Sequence, residues 1–417
     1  MITALVVAVE VIAVLMIESE GRLRDNREYA TATDHVMKRR DFLLHLSTVA
    51  PTAAMLGIAH RSMGAESIST EPPPRGPGWR TFQIDTTVEI LEPAGPTILW
   101  IPLPSGARTD YQRLLDTKFT VDGGGGRADL LTAPGYDVTL LRVEWTDPKS
   151  IGSVTLTNRV ATRDREVNIA SSKSHAHPHA HSSQETKAAL ETYLRPTKLL
   201  PTDGIVKETA EKITRDAHGD VEKARALYEW VVENTSRDPK TPGCGLGDVA
   251  SMLKSGYLGG KCADLNGLFV AMCRSLQIPA RDSYGVRIAD SRRGYQCLGK
   301  SGDISKAQHC RAEFYTAAMG WVPVDPADVR KLILEEPPGN LTLKDAKVQE
   351  ARTTLFGGWE MNWIVYNHGH DVVLPGSRGL PVSFLMYPNG ETTQGRLDSL
   401  NAASFRYEIH SREIENA

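Results

Sequence analysis

The stretch GGKCADLNGLFVAMCRSLQIPAR, residues 259–281, constrains the fold of this 417-residue chain more than any other. Leu265, Leu268, Phe269, Met272 and Leu276 recur at helical spacing, so one face of a helix has to be buried. Gly259 and Gly260 set the turn into that helix, and Ile278-Pro279 ends it. Cys262 then falls in the first turn, off the apolar stripe. There the unpaired backbone N–H groups and the positive end of the helix dipole favour a thiolate over a thiol. The same N–H groups can face a developing oxyanion. Asp264 lies close by, and its charge opposes the thiolate unless it points away. Cys273 falls near the buried stripe and reads as an inert core thiol.

A nucleophilic cysteine needs a base, and the base needs something to orient it. His309 lies in the strand-like run Gln308-His309-Cys310-Arg311-Ala312-Glu313-Phe314-Tyr315. Gly320-Trp321-Val322-Pro323-Val324-Asp325-Pro326 then supplies a turn, a second strand and an acidic residue at its end. A hairpin of these two runs sets Asp325 beside His309, with one imidazole nitrogen toward the carboxylate and the other toward sulfur. Asp328, three residues on, is the rival for that role. By residue type alone, any of these side chains is as readily structural as catalytic.

In their order, GGKCADLNGLFVAMCRSLQIPAR, HCRAEFY and GWVPVDP resemble the transglutaminase-like (papain-like) superfamily, over roughly residues 202–331. The resemblance implies Cys262 as nucleophile, His309 as base and then acid, and Asp325 as orienter. Two positions depart from the family pattern: Arg311 stands where tryptophan is frequent, and Cys310 puts a thiol next to the histidine. Asn362-Trp363, Tyr366-Asn367 and Leu374-Pro375-Gly376 look, more loosely, like a bacterial exported subgroup.

Composition narrows the alternatives. With 48 basic and 51 acidic side chains, the formal charge of −3 argues against electrostatic binding to nucleic acid. Five cysteines in a chain of this length make no disulfide scaffold, and there is no C-x-x-C pair. Cys244, Cys297 and Cys310 can pair outside the cytoplasm, although an all-reduced chain fits the count equally well. Cys244, in a Gly-flanked loop, is expected near the site. No H-E-x-x-H spacing or EF-hand-like loop occurs, and no cofactor is expected. Arg292-Arg293 and Arg330-Lys331 read as solvated surface, and Trp359 and Trp363 as packing rather than groove.

The expected class is α+β: a papain/transglutaminase-like core, one helix on an antiparallel sheet, preceded by a small antiparallel β-sandwich-like domain. Residues 1–65 read as a targeting segment, 66–77 as a Pro-stiffened linker, 78–165 as the β domain and 166–200 as a His-rich linker. The core spans 201–340, and 341–417 form a C-terminal β extension. Within the β domain Phe82, Ile84, Thr86, Val88 and Ile90 alternate with polar neighbours. In the core, Ile205, Thr209 and Ile213 line one helix, and Asp220 is the expected cap of the next.

Lys38-Arg39-Arg40-Asp41-Phe42-Leu43 precedes a small apolar run and resembles a twin-arginine signal, read by the export machinery through Arg39 and Arg40. The expected location is the periplasm or the medium, with Met37 an alternative start. A genuine residue 1–36 stretch is able to tether the protein to a membrane. The tract SSKSHAHPHAHSS, residues 171–183, reads as a solvated linker rather than a metal site. The function expected is amide or peptide acyl transfer through a thioester, hydrolysis slightly favoured, with a protein, peptide or cell-wall peptide as substrate. The rivals are an inactive binding scaffold of the same fold and a metal-dependent hydrolase using the histidines.

Overall fold

The computed structural model describes residues 66–69, 73–74, 76–169 and 185–414. Arg39, Arg40, the apolar runs around them and the histidines of residues 171–183 lie outside the described residues. In strand β2 (Arg80–Ile90) the expected period of two holds: Phe82, Ile84, Thr86, Val88 and Ile90 are buried and their neighbours from Gln83 to Glu89 only half so. This strand lies in an antiparallel sheet with β1 (Glu66–Ser69), β4 (Gln112–Val121) and β7 (Val154–Thr162), in the order β1-β4-β7-β2. A facing sheet holds β3 (Thr97–Pro102), β5 (Arg127–Ala133) and β6 (Val138–Trp145), in the order β3-β6-β5. Val88, Leu99, Val143, Trp145 and Leu156 fill the space between them, which makes this part a sandwich.

The core is built on one helix. Around it stand α1 (Lys187–Thr192), α2 (Gly204–Ile213), α3 (Gly219–Asn234) and α4 (Val249–Ser255). The helix itself is α5 (Cys262–Ser275), and every one of its residues is buried, not only the apolar stripe. Its stripe packs on a sheet, while α2, α3 and α4 cover its other sides. Burying Leu265, Leu268, Phe269 and Met272 contributes about 1.5–3 kcal/mol for each side chain. The helix stops before Ile278-Pro279 in a Schellman turn. Gln277 is left-handed at φ 64°, and the Ile278 N–H donates to Cys273 O at 3.0 Å. The cap of α3 differs from the expectation: His218 is the N-cap, and Asp220 sits in the first turn, where its charge still suits the dipole.

The core sheet is antiparallel, formed by β8 (Ala280–Arg287), β9 (Gln308–Thr316), β10 (Gly320–Val324) and β11 (Trp363–Asn367), in the order β10-β9-β8-β11. The hairpin of β9 and β10 pairs Ala312 with Val324 and Thr316 with Gly320. Asp325 follows directly, as N-cap of α6 (Pro326–Glu335), and α7 (Ala346–Thr354) packs against α6.

The C-terminal region has the expected β character but is shared between both parts of the fold. While β11 closes one edge of the core sheet, β12 (Asn389–Thr392) pairs with β3. The last strand, β13 (Phe405–Ile414), runs along β2, with Phe405 opposite Ile90 and Ile414 opposite Thr81. Phe82, Ile84 and Ile409 of the sandwich then pack on Val286 and Ile364 of the core sheet, continuing one apolar layer into the next. Among the described residues no helix is long and apolar enough to cross a membrane.

Candidate active site

Cys262 is the first residue of α5 and lines a cavity of about 540 Å³. What places it there is Asp264. Its carboxylate turns back from the helix and accepts N–H bonds from Leu246 (3.0 Å), Gly247 (2.8 Å) and Lys261 (2.9 Å). Asp264 therefore points away from the sulfur into the 244–247 loop, and its acidity is reduced by burial against these three donors. The glycines around it are a steric requirement. A Cβ at Gly245, whose φ is +93°, would stand 1.9 Å from the carboxylate, and one at Gly260 would stand 2.5 Å away.

The helix N-terminus is less open than the sequence implies. The Ala263 N–H donates to Cys244 O at 2.9 Å, so that donor is taken and the loop is pinned to the helix start. Cys244 lies beside the site, as expected of its loop, and its carbonyl is 3.9 Å from Cys262 Sγ. All five cysteines are free thiols. The neighbouring Cys244 and Cys310 thiols, with His309 and its charge, hold Cys262 well below the ordinary thiol pKa despite burial, while the Cys244 thiol itself donates to Gln308 O at 3.3 Å. Cys244 is pushed up by the neighbouring Cys262 and by burial, and Cys310 by burial and the same neighbour. Both neighbours thus stay protonated. Cys273 is pushed up by burial and takes no part.

His309 is buried at the start of β9, its carbonyl fixed by the Trp363 indole at 2.8 Å. Its Nε2 lies 2.7 Å from Asp325 Oδ2, which leaves Nδ1 as the nitrogen available to Cys262, a residue of the same cavity lining. Asp328 also reaches Nε2, at 3.4 Å, but it is bound by Arg287 at 2.5 Å. Against burial and the charge of Arg287, the two carboxylates raise the pKa of His309. Burial and the charge of Asp328 raise that of Asp325, whereas Arg287 holds Asp328 well below the usual range despite burial. The structure thus brings Cys262, His309 and Asp325 together, with Asp328 one step behind.

Two further residues join this set: Asn266, which the sequence does not single out, and Arg311, which it singles out without giving its partners. Asn266, one turn after Cys262, donates to Cys310 O at 2.9 Å and to Asp325 Oδ1 at 3.2 Å, and accepts from the Ala327 N–H at 3.2 Å. A polar residue on a helix buried all round was the only available signal. Arg311, the departure from the family pattern, is buried with its Nε 3.5 Å from Asp325 Oδ2 and its guanidinium over the Trp363 ring at 4.8 Å. Burial pushes its pKa down to about 10. Two guanidiniums, Arg287 and Arg311, therefore balance two carboxylates, Asp325 and Asp328. A thiolate–imidazolium pair adds no net charge to this buried set.

His309, Asp325 and Asp328 also form the group of ligand atoms, all within 4.8 Å of one another, that suits a metal among the described residues. A cation there has to displace Arg287 and Arg311 from the same carboxylates, which those guanidiniums already balance. Trp359 and Trp363 are packing residues, buried edge to face at 5.6 Å. Lys331 corrects an expectation: it lines the cavity rather than standing on the solvated surface, because it lies on α6, whose N-cap is Asp325.

Residues 207–326 match the transglutaminase-like superfamily. An uncharacterized protein of Haemophilus influenzae is 32% identical over 382 residues, covering 88% of this chain and 99% of its own. Among solved structures, a candidate cysteine protease from Cytophaga hutchinsonii is 14% identical, covering 84% of this chain and 93% of its own, with a TM-score of 0.45. The periplasmic domain of TgpA from Pseudomonas aeruginosa is 15% identical, covering 66% of this chain and 93% of its own, with a TM-score of 0.32. With the helix, hairpin and ordered motifs described above, the chain belongs to the transglutaminase-like superfamily.

Proposed function

We propose that the protein is an exported cysteine enzyme that cleaves amide bonds through a thioester on Cys262. The reading rests on one observation. Cys262, at the start of α5, and His309 line one cavity, and Nε2 of that imidazole is 2.7 Å from the buried Asp325 carboxylate. The Cys262 thiolate attacks the carbonyl carbon of the substrate amide. Its own backbone N–H is a donor for the oxyanion, since that of Ala263 is committed. The carbon–nitrogen bond breaks, and the imidazolium of His309 gives its proton to the leaving amine. Neutral His309 then takes a proton from water as the water oxygen attacks the thioester. The carbon–sulfur bond breaks, the acid leaves and the ion pair is restored. Asp325 keeps the ring oriented and stabilises its charge throughout.

Hydrolysis is favoured over transfer to a second amine because outside the cell water is abundant and an amine acceptor is not assured. Arg39 and Arg40 address the chain to twin-arginine export, and peptides, cell-wall peptides included, are the substrate class. The test is mass spectrometry of the protein after incubation with periplasmic peptide extract. An acyl adduct on the Cys262 peptide, absent from Cys262→Ala, is expected. Undiminished iodoacetamide labelling of the folded Cys262→Ala protein would sink the assignment. Export is tested separately: Arg39→Lys with Arg40→Lys is expected to leave the protein in the cytoplasm.

A further inference from the structure

We propose that the cavity beside Cys262 selects peptides carrying a carboxylate next to the scissile amide, an inference that rests on the acyl-transfer reading above. Six cationic side chains line it: Arg237, Lys261, Arg287, Lys300, Lys306 and Lys331. Asp303 is the single carboxylate in the same lining. The chain as a whole carries a formal charge of −3, so this excess is local and runs against the average. The cations also come from separate places: the Ser236–Arg237 strand, the turn before α5, β8, the loop before β9, and α6.

Three of the six are matched inside the protein. Arg287 is held by Asp328 at 2.5 Å, and Arg237 and Lys331 share Glu335. The ammonium groups of Lys261, Lys300 and Lys306 have no hydrogen bond or ion pair among the described residues. A low-dielectric recess with cations in excess focuses its field on the opening and concentrates anions there. Another part of the wall is different in kind. Tyr387, Leu400 and Tyr407 from the C-terminal segment offer it an apolar surface. A volume of about 540 Å³ takes a few residues of peptide, with an uncharged body against that wall and a carboxylate against the lysines.

Two alkylating reagents separate this inference from the reading it rests on. Iodoacetate and iodoacetamide deliver the same carbon to sulfur and differ by one carboxylate. The ratio of their rates at Cys262 is expected to exceed the ratio for glutathione about fivefold or more at low salt. It should collapse toward the glutathione value near 1 M salt, where the screening length is roughly 3 Å. Lys300→Gln with Lys306→Gln, both exposed and outside the triad, should lower the ratio several-fold. A ratio at or below that of glutathione, or one indifferent to salt, overturns the anionic pocket while leaving the nucleophile standing. A Cys262 that reacts with neither reagent overturns the nucleophile itself.

The source of the carboxylate is set by protection against iodoacetamide. Acetyl-Ala-Ala-Glu-Ala-amide carries it on a side chain, and acetyl-Ala-Ala-Gln-Ala carries it at a free C-terminus. One of these is expected to protect Cys262 at concentrations about tenfold below the neutral acetyl-Ala-Ala-Gln-Ala-amide. Equal protection by all three overturns the proposal.

Discussion

Asn266, on the helix that carries Cys262, donates a hydrogen bond to Asp325, on the element that orients His309, at 3.2 Å. The same amide group serves Cys310 O and the Ala327 N–H, so one side chain ties the helix of Cys262, the strand of His309 and the N-terminus of α6 together. Asn266→Ala removes the side-chain bonds to Cys310 O and the Ala327 N–H, and one of those on Asp325, which keeps the bonds of the Asp328 N–H and His309. It should lower stability by about 1–3 kcal/mol in urea unfolding. It should also shift the pH profile of Cys262 alkylation, which a purely structural loss would leave in place. An unchanged profile would show that Asn266 supports the fold alone.

The pH dependence of alkylation follows from the depressed thiol. Because the neighbouring Cys244 and Cys310 thiols and the charge of His309 lower the pKa of Cys262, its iodoacetamide rate should hold a plateau well below the ordinary thiol pKa of about 8.5. It should fall only when the depressed pKa is passed in acid. Cys273, raised by burial, should stay unlabelled in the native protein. A rate that simply titrates near pH 8.5 would remove the ion pair.

Glu313, buried in β9, receives Arg165 at 2.5 Å and Arg281 at 2.7 Å, and so links three segments of the core. Glu313→Gln leaves two largely buried guanidiniums without a counter-charge, and should cost about 3–5 kcal/mol near neutral pH. Against burial, the two arginines hold the carboxyl far below its ordinary value. Its contribution is thus present above the unfolded-state pKa of about 4.3 and lost as pH falls through the lower folded value. Denaturant melts of the two proteins should therefore converge in acid; a gap that stays constant with pH would contradict the charge assignment.

Gly245→Ala places a methyl group on the Asp264 carboxylate, 1.9 Å away, at a backbone φ of +93°. A loss of about 2–4 kcal/mol is expected, from strain and from displacement of the bonds to Leu246, Gly247 and Lys261. Because those bonds hold the start of α5, the alkylation rate of Cys262 should drop in the folded fraction. Gly256→Ala, at a left-handed cap with open space around it, is the control and should cost less while sparing reactivity.

What was legible in the sequence is what depends on neighbours in the chain. The spacing of Leu265, Leu268, Phe269 and Met272 makes a helix, Gly259-Gly260 opens it, and Cys262 lands in its first turn whatever surrounds it. The runs around His309 and Val322 make a hairpin for the same local reason, and Asp325 has to follow its second strand. The alternation of β2 is equally local. Tertiary structure decided the rest, because it concerns groups far apart in the chain and brought together by packing. It turned Asp264 into the 244–247 loop and put Arg311 against Asp325, and it drew six cations from separate segments to one cavity. It also returned Phe405–Ile414 to the edge of Arg80–Ile90. Periodicity reports which face of an element is buried, but not against what, and both the charge balance at His309 and the shape of the cavity are set by that second quantity.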